Sequence, residues 1–174
     1  MDVMIDIETL GTETHAIVIQ LAAARFDDER IHDSFTTSLD PRGQVQKGRE
    51  WDWNTVLWWV QQVNCFQVWN EALHADLGVR ESLQKFNEWY HAVPVVSVWA
   101  KPPTFDLSIL ESLYRQYSIA VPWDHRASRD VRTLMGLVPD SCHVRRGTHI
   151  ALEDVKDQCL SVINAKQYLK GAQQ

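Results

Sequence analysis

The chain has 174 residues, 45% of them apolar and 23% charged, and a formal charge of −6. Those values fit one globular domain over residues 1–174 and exclude a disordered or fibrous chain. No apolar run approaches the ~18 residues of a membrane span, and no basic n-region precedes the first strand-like run, so no membrane partner is expected. Cys65, Cys142 and Cys159 are widely spaced, with neither a CxxC nor an even framework, which points to a reducing cytoplasm and no structural zinc.

Residues 2–9 (DVMIDIET) read as a strand and 16–26 (AIVIQLAAARF) as a second, with Gly11 and a polar stretch between them. Residues 31–39 alternate as a third strand, and Asp40-Pro41-Arg42-Gly43 reads as a loop. The pattern then turns helical. A segment capped by Asn54 or Thr55 runs to about Gln62, a short helix covers 67–76, Gly78 breaks it, and 80–92 forms a third helix. Pro94 ends that helix, Val95–Trp99 reads as a short buried strand, and a helix is predicted at about 104–117. Residues 119–124 are predicted as a last strand, 129–136 as short helix and 150–169 as a longer one. This order predicts an α/β fold with a mixed central β-sheet flanked by helices. Five of the eight tryptophans lie between Trp51 and Trp69, which gives that segment a special packing or contact role.

Three groups of polar residues look out of place. On the first strand Asp6 and Glu8 share a face with Met4, while Val3, Ile5 and Ile7 take the other. Two like charges there are costly unless a cation sits between them, although an edge strand with a solvated face would also explain them. Asp106 extends an apolar helical stripe of Ile109, Leu110, Leu113 and Tyr117, or it simply complements the helix dipole. His149 and Asp154 are five residues apart and cannot share a helix face, so His149 is expected in the loop before the last helix and Asp154 in its first turns. Gln158 lies one turn beyond Asp154. Four carboxylates and one histidine from three elements are what a two-metal phosphodiester site requires. Two divalent cations would also raise the charge from −6 to −2, so an acidic chain remains compatible with a phosphate-rich substrate.

Asp6 and Glu8 in IDIETLG, Asp106 in TFDLSIL, and His149 with Asp154 in HIALEDV resemble, in order and spacing, the DEDD exonucleases of the ribonuclease-H-like superfamily, in the variant with histidine. The segment Thr55–Gln62 (TVLWWVQQ), with Trp99 upstream of the central Phe-Asp, is similar to a smaller bacterial and phage subgroup of 3′–5′ exoribonuclease-like domains. The chain departs from many relatives at Trp99–Phe105, where they carry a His-Asn pair before the central Phe-Asp.

The resemblance implies a ribonuclease-H-like fold. It implies two divalent cations, Mg²⁺ or Mn²⁺, on Asp6, Glu8, Asp106 and Asp154, and His149 as general base. The substrate would be the 3′ end of single-stranded RNA or DNA, with RNA slightly favoured by the subgroup, and the products nucleoside 5′-monophosphates. Thr9, Leu10 and Gly11 would meet the terminal nucleotide, with Phe105 or Trp99 against a base or ribose. Arg146, beside His149, is the first choice among the basic residues for a phosphate. A non-cleaving module and an endonuclease are the competing readings. The intact set of five argues against the first, and HxAxxD favours an exonuclease over the second. The Trp-rich segment also allows a homodimer.

Overall fold

The computed structural model describes residues 1–172. Five strands form one sheet in the order β3-β2-β1-β4-β5: β1 Asp2–Thr9, β2 Val18–Phe26, β3 Ile31–Ser38, β4 Ser97–Ala100 and β5 Ser128–Asp130. The first three pair antiparallel, and β1–β4 and β4–β5 pair parallel, so β1 lies where the sheet changes direction. Seven helices follow the strands or connect them: α1 Pro41–Gln46, α2 Trp53–Trp59, α3 Cys65–Leu73, α4 Val79–His91, α5 Pro103–Gln116, α6 Val131–Met135 and α7 Ala151–Gly171. Among the described residues no helix is long and apolar enough to cross a membrane.

Alternation along β1 divides the core. Val3, Ile5 and Ile7 pack with Leu83 and Phe86 of α4 and Ile109, Leu110 and Leu113 of α5. Met4 faces the other way, with Ala22 and Ala24 of β2, against Val155, Cys159 and Val162 of α7. Small residues at 22 and 24 leave room for α7 to lie close to the sheet. A third cluster joins Leu10, Ile17 and Ile19 to Trp59, Val68 and Ala72 of α2 and α3.

Two predicted elements are corrected. The loop at 40–43 begins helix α1, because the Asp40 side chain caps it (Arg42 N donates at 2.8 Å) and Pro41 suits its first turn. Residues 119–124 form no strand. Pro122 interrupts the run, and Trp123 turns inward against Tyr114 and Tyr90, its Nε1 donating to Glu111 at 3.1 Å. The fifth strand is Ser128–Asp130, three polar residues without an alternating signal.

Candidate active site

The site lies where β1 runs past the end of β4. The parallel ladder between them covers only Asp2–Met4, so the backbone beyond it is open on that side. Helix α5 starts there, and Asp106 in its first turn accepts a hydrogen bond from Ile7 N at 3.3 Å. Asp106 is only 2% exposed, and its Oδ2 has no hydrogen-bond partner among the described residues. Asp6 and Glu8 point from β1 toward α7. Gln158 Nε2 of α7 donates to Asp6 Oδ1 at 2.7 Å, and Asp154 stands one turn before Gln158. Immediately after Glu8 the β1–β2 register shifts, a bulge that redirects Thr9–Gly11 along the rim of the site.

Burial pushes all four carboxylates toward the protonated form, and at Asp6 and Glu8 the neighbouring acids add to it. Desolvation is the largest cause at each. It raises Asp6 well above the usual carboxylate range, with the charges of Asp106 and Glu8 adding to it. It pushes Glu8 up to about 8, with Asp154 and Asp106 adding. Asp106 is raised to about 7, and Asp154 is raised as well. A buried, unpartnered carboxylate oxygen among mutually repelling acids is the donor set a hard divalent cation fits. Ligand atoms of Glu8, His149 and Asp154 come within 4.8 Å of one another, a spacing that could hold an ion.

His149 reaches this cluster from an irregular segment, with backbone φ of +52°. Its imidazole stands perpendicular to the Trp58 indole, with centroids 4.7 Å apart. Thr148 Oγ1 donates to Asp154 Oδ1 at 3.3 Å, and Asn64 Nδ2 donates to Thr148 O at 2.7 Å. On β2, buried Gln20 accepts from Ala151 N at 3.2 Å and so pins the start of α7. Asn64 and Gln20 escaped the sequence reading. Gln20 carried a signal, a lone amide within the apolar run Val18–Ala24.

Glu8, Thr9, Gly11, Trp58, Trp59 and Phe105 are among the residues lining a cavity of about 620 Å³ next to the acids. Thr9 is buried, its hydroxyl donating to Gly11 O at 2.6 Å. A Cβ on Gly11 would come 3.3 Å from Ala16 Cβ, so the turn is tight there. Leu10 is instead a core residue packed under α2, its backbone N–H donating to Ile17 O and its carbonyl accepting from Asp52 N, so the expectation that it meets the terminal nucleotide is corrected. Trp99 is also in the core: it packs beneath α7, and its Nε1 donates to Asp2 at 3.1 Å, at the opposite end of β1 from Glu8. The expectation that Trp99 meets a base is therefore corrected. Arg146 turns back onto α7, its backbone N and Nε donating to Asp157 at 2.8 and 2.7 Å and its guanidinium paired with Glu153. That pairing occupies the group expected at a phosphate. Arg132 of α6, which the sequence reading passed over, is an exposed cation whose charge favours ionised Asp106.

A family model described as the 3′–5′ exoribonuclease Rv2179c-like domain matches residues 1–168. The chain belongs to this family. It is accordingly a metal-dependent 3′–5′ exonuclease with an α/β, ribonuclease-H-like fold. Among solved structures it is similar to the nuclease domain of 3′hExo, a DEDDh family member bound to rAMP, with TM-score 0.67, 14% identity and coverage of 97% of this chain and 92% of that one. It is also similar to E. coli ExoI in a metal-free complex with single-stranded DNA (TM-score 0.62, 15% identity, 98% of this chain and 42% of that one). A third is a full-length 3′-exonuclease (TM-score 0.59, 13% identity, 97% and 60%). No curated protein matches in sequence.

Proposed function

We propose that residues 1–174 act as one catalytic domain that takes the 3′ end of single-stranded nucleic acid, RNA in preference to DNA, and releases nucleoside 5′-monophosphates. The observation that carries this reading is the convergence of Asp6, Glu8, Asp106 and Asp154 with His149 beside a cavity of about 620 Å³. The four acids would hold two Mg²⁺ or Mn²⁺ ions, with the unpartnered Asp106 Oδ2 as one ligand atom. Bound there, such ions supply activation of a water and charge stabilisation at the leaving oxygen. His149 takes the proton of the attacking water, and its exposed side lets that proton pass to solvent. Thr9, Gly11 and the ring of Phe105 hold the terminal nucleotide, an arrangement that tolerates any base. The preference for RNA is supported by the family's description as exoribonucleases and by the rAMP bound to 3′hExo.

A gel time course on 5′-labelled single-stranded RNA and DNA, with Mg²⁺, Mn²⁺ or EDTA and with Asp6→Ala as control, tests this reading. A metal-dependent ladder shortening from the 3′ end, faster on RNA and absent in the variant, is expected. Cleavage of circular substrate would make the protein an endonuclease. Metal binding without cleavage of any strand would make it a binding module.

The partner at the outer face of α2 and α3 is assigned to a second copy of this chain. Trp53 and Leu57 on α2, with Val60 at its C-terminal cap, are solvent-facing at helical spacing, and Val60, Val63, Phe66 and Leu73 line one groove. Val63 is 99% and Phe66 83% exposed, and a run of apolar side chains left in solvent is what a protein contact covers. Sedimentation should give a dimer that Phe66→Glu dissociates; a monomeric wild-type protein would end this assignment.

A further inference from the structure

We propose that Trp58 and Asn64, from the Trp-rich segment, are positioning residues that hold His149 over the acids. The inference rests on the nuclease reading above and adds the machinery that places the general base. His149 belongs to no regular element. It has a left-handed backbone conformation, φ +52°, that few residues with a Cβ adopt. Two contacts from outside its own segment hold the histidine in place. Asn64 Nδ2 donates to the carbonyl of Thr148, one residue before the histidine, at 2.7 Å. The Trp58 ring fixes the imidazole plane, standing at 82° to it with centroids 4.7 Å apart.

Trp58 is tied to the acid strand through Trp59. The Trp59 indole is 1% exposed and donates from Nε1 to Thr9 O at 2.8 Å, directly after Glu8. Trp58 packs on Trp59, with centroids 5.2 Å apart. A continuous path therefore runs from the strand bearing Asp6 and Glu8, through Trp59 and Trp58, to the base. The adjacent tryptophans divide the work, one in the core and one over the histidine. Asn64 stands at the N-cap position of α3, yet its side chain makes no cap hydrogen bond. Its amide is spent on the histidine loop, so a helix role does not explain it.

This makes Asn64→Asp a sharp test. The substitution keeps the shape, removes the donor, and puts a negative charge at a helix N-terminus, where it is not destabilising. Misplacing a reacting group by ~1 Å can lower a rate by up to about 100-fold. We expect kcat on a 5′-labelled RNA oligomer to fall about tenfold in Asn64→Asp, with KM, Mn²⁺ affinity and thermal midpoint unchanged. Trp58→Ala should lower kcat further, and Trp58→Phe, which keeps a perpendicular ring, should restore part of it.

Amide hydrogen exchange supplies a readout independent of turnover. Residues 147–150 should exchange faster in Asn64→Asp while α3 stays protected. Wild-type exchange at 147–150 together with wild-type kcat would overturn the positioning role. So would a fall in kcat matched by loss of α3 protection, which marks a merely structural residue. If Asn64→Asp does not fold, the Trp58→Ala and Trp58→Phe pair decides: equal kcat in the two variants overturns it. A wild-type protein that cleaves nothing would instead defeat the nuclease reading, so the two failures are distinct.

Discussion

The acids and the histidine reach the same place by opposite means. Asp6 and Glu8 sit on the central strand and Asp106 and Asp154 in the first turns of two helices, so regular backbone fixes all four. His149 sits in a segment without regular structure and is fixed by side chains from elsewhere in the chain. The acids are held rigidly against their own repulsion, whereas the histidine is held by few contacts. Strong mutual repulsion can be tolerated only on a stiff frame, whereas a group that must exchange protons with solvent is better placed at the edge.

The largest effect expected from this contrast is at the acids. Asp6→Asn should lower turnover about 10³-fold or more, since it removes charge from the centre of the group. The metal-free variant should melt at or above the wild-type temperature, because one repelling charge is gone. A variant that keeps the wild-type rate, read on the same RNA ladder, would remove Asp6 from the site. His149→Ala comes next. A lost general base lowers kcat by about 10²–10⁴-fold while Mn²⁺ binding, read by calorimetry, stays near normal. Lost Mn²⁺ binding would make His149 a ligand, as its place in the cluster with Glu8 and Asp154 also permits.

The raised acids also predict a pH dependence of stability. Glu8 and Asp106 have folded pKa values of about 8 and about 7, above those of an unfolded chain, and Asp6 is raised too. Between the unfolded and the folded values the native state keeps protons that the unfolded chain releases, so stability falls as pH rises. The metal-free protein should therefore have a higher urea midpoint at pH 5.5 than at pH 8.5, levelling off above about pH 8. Added Mn²⁺ should reverse the slope, because cations displace those protons and bind more tightly as pH rises. Asp106→Asn should flatten the metal-free slope. An unchanged slope in that variant would mean that its carboxyl is not among the groups responsible.

The sequence spoke for regular elements and was silent on what lies between them. Period-two alternation put Asp6 and Glu8 on one face of β1, and helical spacing put Asp106 at the head of an apolar stripe. The placement of His149 before α7 followed from helix geometry, but its holders did not. Asn64 and Thr148 are 84 positions apart, and no local pattern links them. The same limit accounts for β5, three polar residues whose strand character lies in their pairing with β4. Arg146 was read from its nearness to His149 along the chain. Its pairing with Asp157 depends on how the loop folds back onto α7, which spacing does not reveal.

Trp99 gives the smallest expected effect on turnover and the cleanest check on distance from the site. It lies on β4 opposite Met4, toward the Asp2 end of β1, with Lys166 5.6 Å from its ring and Asp2 accepting from its indole. Trp99→Phe keeps an aromatic ring in the pocket beneath α7 but removes that donor. The lost hydrogen bond and the smaller ring should lower stability by about 1–2 kcal/mol, measured as a shift in urea midpoint without a change in m. Both kcat and KM should stay within about twofold of wild type, because uncoupled positions this far apart act independently. A raised KM on RNA with unchanged stability would instead return Trp99 to the substrate. The sheet would then have to present its β4 side, as well as the rim near Glu8, to the nucleic acid.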